Sequence, residues 1–103
     1  MRNIVLHRVT PDVHAPTGIL GRVILVGHAF GLRRIYARLE GEQGAVEAEG
    51  FVDENHHWEV EFDDPDGFAR AGVTVGAPVR VVAADPDDRD GCFSALRQPL
   101  RRP

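Results

Sequence analysis

The chain has 103 residues, the length of a single domain with enough interior for one hydrophobic core. Hydrophobic residues at 43% and charged residues at 27% lie near the globular average, which excludes collagen, coiled coil and wholesale disorder. Twelve basic residues, all arginine, against 16 acidic ones give a net charge of −4. Because a phosphate backbone attracts basic proteins, we do not expect nucleic acid as a partner.

Nothing in the chain predicts export or membrane insertion. Only three consecutive apolar residues precede His7 and Arg8, too few for a signal peptide, and the apolar run at 23–26 is too short to span a bilayer. The single Cys92 cannot form an intramolecular disulfide. We therefore expect a soluble protein without a signal peptide, cytoplasmic or associated with a virion.

Apolar and polar residues alternate with a period of two in short runs bounded by Gly, Pro and Asp, which predicts strands. Seven strands are expected, at residues 3–9, 21–30, 34–40, 45–52, 57–62, 78–84 and 92–97. The second is apolar on both faces at 23–26, which indicates a central strand covered on either side. One helical turn is expected at 66–72.

Seven short strands with turns about every ten residues and no long helix predict an all-β fold, an antiparallel sandwich rather than a barrel. The whole chain, 1–103, is expected to be one domain. Extended segments are expected at its two ends, about 1–20 and about 98–103. Their proline-bounded stretches, 8–16 and 98–103, are expected to lie outside the sandwich, because proline cannot easily join a central strand.

Four segments carry a resemblance to a known family: Gly27-His-Ala29, Ile35-Tyr-Ala-Arg-Leu39, Asp53-Glu-Asn-His-His-Trp58-Glu-Val60 and Val79-Arg-Val-Val-Ala83-Ala-Asp85. They resemble the bacterial immunoglobulin-like repeats, relatives in architecture of fibronectin type III. The chain departs from that pattern at His56, where a turn glycine is usual, and in a longer loop at 85–91. The resemblance implies a seven-stranded immunoglobulin-like sandwich with the second–third, fourth–fifth and sixth–seventh connectors at one end.

Function is expected at that end, because loops carry binding residues on such scaffolds. The candidate binding residues there are Arg33, Arg34, His56, His57 and Arg89. The basic residues of the two ends are candidate docking arms, namely Arg8, Arg97, Arg101 and Arg102. A loose calcium site would use Asp53, Asp85 and Asp87. Solvated turn acids are the simpler interpretation of those three residues.

No catalytic or cofactor motif is found. Ser94 lies within a predicted strand without a nucleophile elbow, and Cys92 is interpreted as a small buried hydrophobe. The acid-rich loops at 63–67 and 85–91 do not match the ligand register of a calcium loop. Of the five histidines, His7, His14 and His28 have no partner at ligand spacing. We therefore expect neither an enzyme, nor a cofactor, nor zinc.

Two aromatic residues are predicted from strand parity. Trp58 is expected to be buried between the sheets, in the core with Val23, Leu25, Val81 and Ala83. Tyr36 faces opposite to its strand neighbours Ile35 and Ala37 and is expected to be exposed.

Eleven acids and no arginine lie between residues 39 and 69. They predict a solvated sheet face, or a face that attracts a basic partner. The leading functional hypothesis is a non-enzymatic structural or adhesion module that docks on a larger assembly, such as a capsid decoration or tail protein of a phage virion. Its partner would be another protein or further copies of the chain. The alternative is a module that binds a small ligand, either carbohydrate or calcium.

Overall fold

The computed structural model describes residues 2–14 and 16–101. These residues form seven strands and one helix: β1 (Asn3–His14), β2 (Ile19–Phe30), β3 (Arg34–Glu40), β4 (Ala45–Phe51), β5 (His57–Phe62), α1 (Pro65–Ala71), β6 (Pro78–Asp85) and β7 (Asp88–Pro99). No helix among them has the length and apolar character to cross a membrane.

The strands form two antiparallel sheets. One has three strands in the order β1-β2-β5, and the other has four in the order β4-β3-β6-β7. Alternate side chains of both sheets meet in a single core. This architecture confirms the predicted all-β antiparallel sandwich of seven strands. The two sheets pack face to face because each has an apolar face that only the opposite sheet can cover.

Trp58 lies in this core and is 2% exposed, as predicted. Its indole Nε1 donates a hydrogen bond of 2.9 Å to the backbone carbonyl of His28. The ring lies over Gly27, where an added Cβ would come within 2.5 Å of it. The four residues expected in the core with Trp58 belong to the same buried cluster, namely Val23, Leu25, Val81 and Ala83.

The proline-bounded ends differ from the expectation that they lie outside the sandwich. β1 continues to His14 and pairs with β2 along its whole length, with Pro11 opposite Val23. Because β1 is an edge strand, Pro11 does not interrupt a ladder on both sides. β7 likewise continues to Pro99, and the next residue, Leu100, is 1% exposed in the core.

Two of the four candidate docking residues are therefore parts of strands. Arg8 lies within β1 and Arg97 within β7, while Arg101 follows β7 as an exposed residue. Arg102 lies outside the described residues. The bridge that joins Leu100 to Val75 fixes the chain immediately before Arg101.

The helical turn expected at 66–72 is confirmed as α1. The Asp64 side chain caps its N-terminus by accepting a 3.0 Å hydrogen bond from the backbone N–H of Gly67, and Pro65 occupies the first turn. Gly72 ends the helix at φ 76°. The acid-rich sequence at 63–67 therefore functions as a helix start, and Phe68 of the helix closes one end of the core.

β2 is central in its sheet, as predicted, but it is covered on one face only. Its outward-facing Ile24 and Val26 are half-buried. In the register, Val26 lies between Arg8 of β1 and Glu59 of β5. The long stems of such neighbours cover part of an apolar side chain, so the outward hydrophobes need no third layer.

Candidate functional site

Three connectors meet at one end of the sandwich, which we call the loop end: residues 31–33, 52–56 and 86–87. The backbone N–H of Val52 donates to the carbonyl of Arg33 at 2.9 Å, and the N–H of Ala29 donates to the carbonyl of His56 at 2.8 Å. The first bond ties the first two connectors together, and the second ties the 52–56 connector to β2. Two shallow grooves lie here and share the segment 31–33.

The first groove has a volume of about 590 Å³ and carries exposed aromatic side chains. Phe51 on its wall is 77% exposed. Phe30 is 43% exposed and packs against the ring of His56 with 4.7 Å between ring centroids. The exposed Arg33 lines the same groove. We call these four residues the loop-end patch.

The turn that presents His56 is held by Asp53. The Asp53 Oδ1 accepts hydrogen bonds from the backbone N–H of Asn55 at 2.8 Å and of His57 at 2.9 Å. The bond from His57 is the main cause that lowers the pKa of Asp53 below its ordinary value. His56 adopts φ 64°, the left-handed conformation that a turn glycine would otherwise take.

The second groove, of about 390 Å³, lies between the β2–β3 and β6–β7 connectors. Asp85 is 4% exposed there, is ion-paired with Arg2 and accepts the backbone N–H of Asp87 at 3.0 Å. Arg34 lies 3.8 Å from Glu49 and 4.0 Å from Asp87. The predicted long loop is instead a tight hairpin, since β6 ends at Asp85 and β7 begins at Asp88.

The three calcium candidates are divided between the two grooves. Asp53 lines the first, whereas Asp85 and Asp87 line the second. The Asp53 and Asp85 carboxylates already accept backbone or guanidinium hydrogen bonds. Within residues 2–14 and 16–101, no group of three or more His, Cys, Asp or Glu side chains converges as a metal site.

Tyr36 is 2% exposed, so the expectation of an exposed tyrosine is wrong. The guanidinium of Arg89 lies 3.8 Å from its ring centroid and covers it on the outer face of the four-stranded sheet. The Tyr36 hydroxyl donates to Glu47 at 2.5 Å. Burial, and then the Glu47 bond, raise the pKa of Tyr36. Strand parity predicted the correct face of the sheet for Tyr36. It could not show that the arginine side chain of another strand would cover the ring.

His57 also lies away from the loop-end patch, on the outer face of the three-stranded sheet. Its ring packs edge-on against His28 with 4.2 Å between centroids, and His28 packs edge-on against His7 at 4.6 Å. Burial is the main cause that lowers the pKa of His28, followed by the charges of its two histidine neighbours. Sequence spacing missed this row because its members come from β1, β2 and β5.

Of the five predicted binding residues, the loop end keeps Arg33, Arg34 and His56, while His57 and Arg89 lie on the two outer faces. The sequence signal for exposed aromatic side chains at this end was missed: Phe30 is the last residue of β2 and Phe51 is the last residue of β4. Comparison with protein-family models, curated proteins and solved structures finds no match to this chain.

Proposed function

We propose that the chain is a non-enzymatic, immunoglobulin-like module that docks onto another protein through its loop end. In constant-type immunoglobulin sandwiches the first, second, fifth and fourth strands form one sheet and the third, sixth and seventh form the other. Here only β4 differs, because it pairs with β3 in place of the first sheet. This near match of strand order supports the immunoglobulin-like assignment.

The observation that carries the docking proposal is Phe51, 77% exposed in a groove that also presents Arg33. A phenylalanine held in water forfeits the burial free energy that normally places it in a core. Aromatic and arginine side chains are enriched in protein interfaces and supply most of their binding energy. Phe51 would be the apolar anchor, and Arg33 would donate to a carboxylate or carbonyl of the partner.

Hydrogen bonds hold the backbone of the loop end in place. Two bonds to Asp53 fix the turn, the Val52 bond links it to the neighbouring connector, and the Ala29 bond links it to β2. Association costs less free energy when the binding segments are already ordered. This preorganisation favours a protein-docking surface over a flexible linker.

Small-ligand binding receives less support from the same residues. Trp58 is buried and Tyr36 is covered, which leaves neither as a stacking platform for a sugar. The calcium candidates are divided between two grooves. A larger assembly such as a virion remains the proposed setting, where a rigid module with one docking end would be carried on a protein surface.

Site-specific photo-crosslinking in the producing cell tests the proposal. A photoreactive phenylalanine analogue replaces Phe51 and, in a matched control, Ile19, which is 55% exposed at the opposite end of β2. We expect a discrete protein adduct from position 51 and none of that mass from position 19. The adduct yield should fall when Arg33→Ala is added.

The stability of each variant is measured by thermal unfolding, since Phe51 and Arg33 are exposed and their replacement should leave the melting temperature nearly unchanged. Absence of any adduct at position 51 would contradict protein docking. If the adduct forms in equal yield from position 19, and if Arg33→Ala does not change that yield, the loop end is not the docking surface.

A further inference from the structure

The four-stranded sheet ends in two strands that have a neighbour on one side only, β4 and β7. β4 pairs with β3 over seven residues without a register shift. β7 pairs with β6 just as regularly from Phe93 to Pro99, a segment of the same length. A regular edge without a bulge or a lysine offers its backbone to another strand. β1 differs, because two register shifts interrupt it.

Backbone groups without a partner project from both of these edges. At one end of the β3–β4 ladder the N–H of Gly41 donates to the carbonyl of Gly44 at 2.9 Å, and at the other end the N–H of Val52 donates to that of Arg33 at 2.9 Å. Because bonded pairs alternate in an antiparallel ladder, alternate residues of β4 are left unbonded, namely 45, 47, 49 and 51. Carried across β3 and β6, the same alternation leaves a second set unbonded on β7, namely 93, 95 and 97. The backbone groups of both sets therefore point away from the sheet, where a further strand can bond to them.

We propose that copies of the chain assemble side by side, with the β4 edge of one copy paired to the β7 edge of the next. β4 and β7 run in opposite directions, since the sheet has an even number of antiparallel strands. Copies stacked in the same orientation therefore bring the two edges together as an antiparallel pair, with their outer faces on one side. This assembly rests on the proposed docking function of Phe51 and makes a second copy of the chain its partner.

One register matches the apolar side chains of the two edges. It places Phe51, which is 77% exposed, opposite Phe93 of the second copy, which is 48% exposed. Both phenylalanines lie on the outer face of their sheet. On the core side, the half-buried Leu96 then lies opposite the half-buried Ala48. Directly opposed aromatic side chains stabilise a strand pair, and both phenylalanines lose exposure to water.

The same register also matches charges, because it places Arg97 of one copy opposite Glu47 of the next. Within its own sheet Arg97 lies opposite another arginine, Arg80, and no carboxylate of the described residues forms an ion pair with it. Glu47 uses its Oε2 for Tyr36 and Arg89, which leaves Oε1 for a further donor. Opposite charges across neighbouring strands stabilise their pairing and fix its register.

The second layer of the sandwich leaves room for this contact. Neighbouring strands lie about 4.8 Å apart, so four strands span roughly 19 Å and three strands roughly 14 Å. The three-stranded sheet of each copy is therefore narrower than the spacing between copies. Each contact uses two different edges, so an open assembly keeps a free β4 at one end and a free β7 at the other, and further copies can add.

Sedimentation velocity of the purified, untagged full chain over a range of concentrations tests the assembly. We expect the average mass to rise with concentration beyond that of a dimer. Phe51→Lys and Phe93→Lys should each be monomeric, because a lysine on an edge strand opposes pairing. Val5→Lys is the matched control, at a 37% exposed position of the other sheet, and should assemble like the wild type.

An equimolar mixture of Phe51→Lys and Phe93→Lys gives the decisive result. The first variant keeps an intact β7 edge and the second an intact β4 edge, so the mixture should form a dimer that does not grow. Arg97→Gln should weaken association of the otherwise unchanged chain about two- to fivefold. Thermal unfolding shows whether each variant is folded, and Ala95→Lys, exposed on the same edge, takes the place of Phe93→Lys if that variant is not.

A wild type that stays monomeric at every concentration, or an equimolar mixture that does so, would overturn the assembly. Growth of either lysine variant alone beyond a monomer would overturn it too. Docking on a different protein is judged separately by the mass of the photo-crosslinked adduct at position 51. Twice the chain mass supports the assembly, whereas a discrete adduct of another mass with a monomeric wild type retains docking and refutes the assembly.

Discussion

His56 is the single non-glycine residue with positive φ in the described part of the chain, at 64°. An L-residue in this conformation brings its Cβ close to the following carbonyl oxygen, at a cost of roughly 1–2 kcal/mol. The packing of the imidazole on Phe30 offsets part of that cost. The turn thus holds a side chain of the loop-end patch in a conformation that glycine would adopt without strain.

We predict that His56→Gly is more stable than His56→Ala by about 1 kcal/mol, since both lose the ring but only alanine keeps the left-handed strain. Urea unfolding of the two variants, followed by Trp58 fluorescence, measures the difference. Equal stabilities would mean that the turn relaxes when the imidazole is removed.

Asp53 links stability to pH through its two backbone hydrogen bonds. Its pKa is lowered from 3.8, so the carboxylate contributes stability that is fully present above about pH 4 and is lost as the pH falls through the depressed value. We predict that Asp53→Asn flattens the acid limb of the stability curve.

The measurement is urea unfolding of wild type and Asp53→Asn at several values from pH 6 down to pH 2. The two curves should differ most at neutral pH and converge at the acid end. Glu42→Gln is the matched control, because Glu42 is exposed in the connector between β3 and β4, away from the loop end and outside any helix. A constant gap at every pH would contradict the ionic origin of the effect.

At the scale of elements, the centres of the strands were predictable and their ends were not. Residues 34–40 and 57–62 alternate cleanly, and the structure has strands at the same bounds. β1 and β7 are longer than predicted, because β1 continues past Pro11 and β7 includes Gly91, residue types that bound strands elsewhere in the chain. Both are edge strands, where a missing N–H on the solvent side leaves no ladder bond unmade.

The end of β7 yields a prediction about the candidate docking arm. Leu100 is 1% exposed, and its carbonyl accepts the N–H of Gly76 at 2.7 Å. Leu100→Ala should therefore cost about 2–5 kcal/mol, as do other leucines removed from a core. The double variant Arg101→Ala and Arg102→Ala should leave the melting temperature within about 2 °C of wild type.

Differential scanning calorimetry of these two variants separates packing from docking at the C-terminal end. Deleting residues 98–103 as a unit would remove Leu100 as well as the arginines, so it cannot isolate a docking role. A Leu100→Ala variant that melts like wild type would show that the chain end is not part of the core.

At the scale of the molecule, antiparallel pairing mixes charges that the sequence separates. The acids between 39 and 69 meet arginines from other segments: Glu61 with Arg22, Glu49 with Arg34, and Glu47 with Arg89. A uniformly acidic face is therefore not formed. Linear charge blocks could not reveal this, because the pairing partner of each strand is set by topology.

Dependence on strand pairing also limits prediction of the sites from the sequence. The resemblance of short segments placed Arg33, Arg34 and His56 near one end, and the connectors do meet there. The row of His7, His28 and His57 depends on how β1, β2 and β5 pair, which no spacing in the sequence marks. Local alternation predicts faces well, whereas a row across strands or a covering arginine depends on contacts distant in sequence.

The last prediction concerns how the two sheets unfold. Leu25 of β2 and Leu39 of β3 are both fully buried, one in each sheet, and belong to the same core cluster. Because each sheet's apolar face is covered by the other, neither sheet should persist alone. Leu25→Ala and Leu39→Ala should each lower the free energy of unfolding by about 2–5 kcal/mol.

Native-state hydrogen exchange gives the decisive measurement. The slowest amides should lie in β2, β3 and β6, the strands with a neighbour on both sides. Each leucine variant should speed exchange of these amides by the same factor in both sheets, since exchange there requires global opening. Faster exchange confined to the sheet that carries the substitution would show two independently opening layers, and the shared core would then not govern the stability of the molecule.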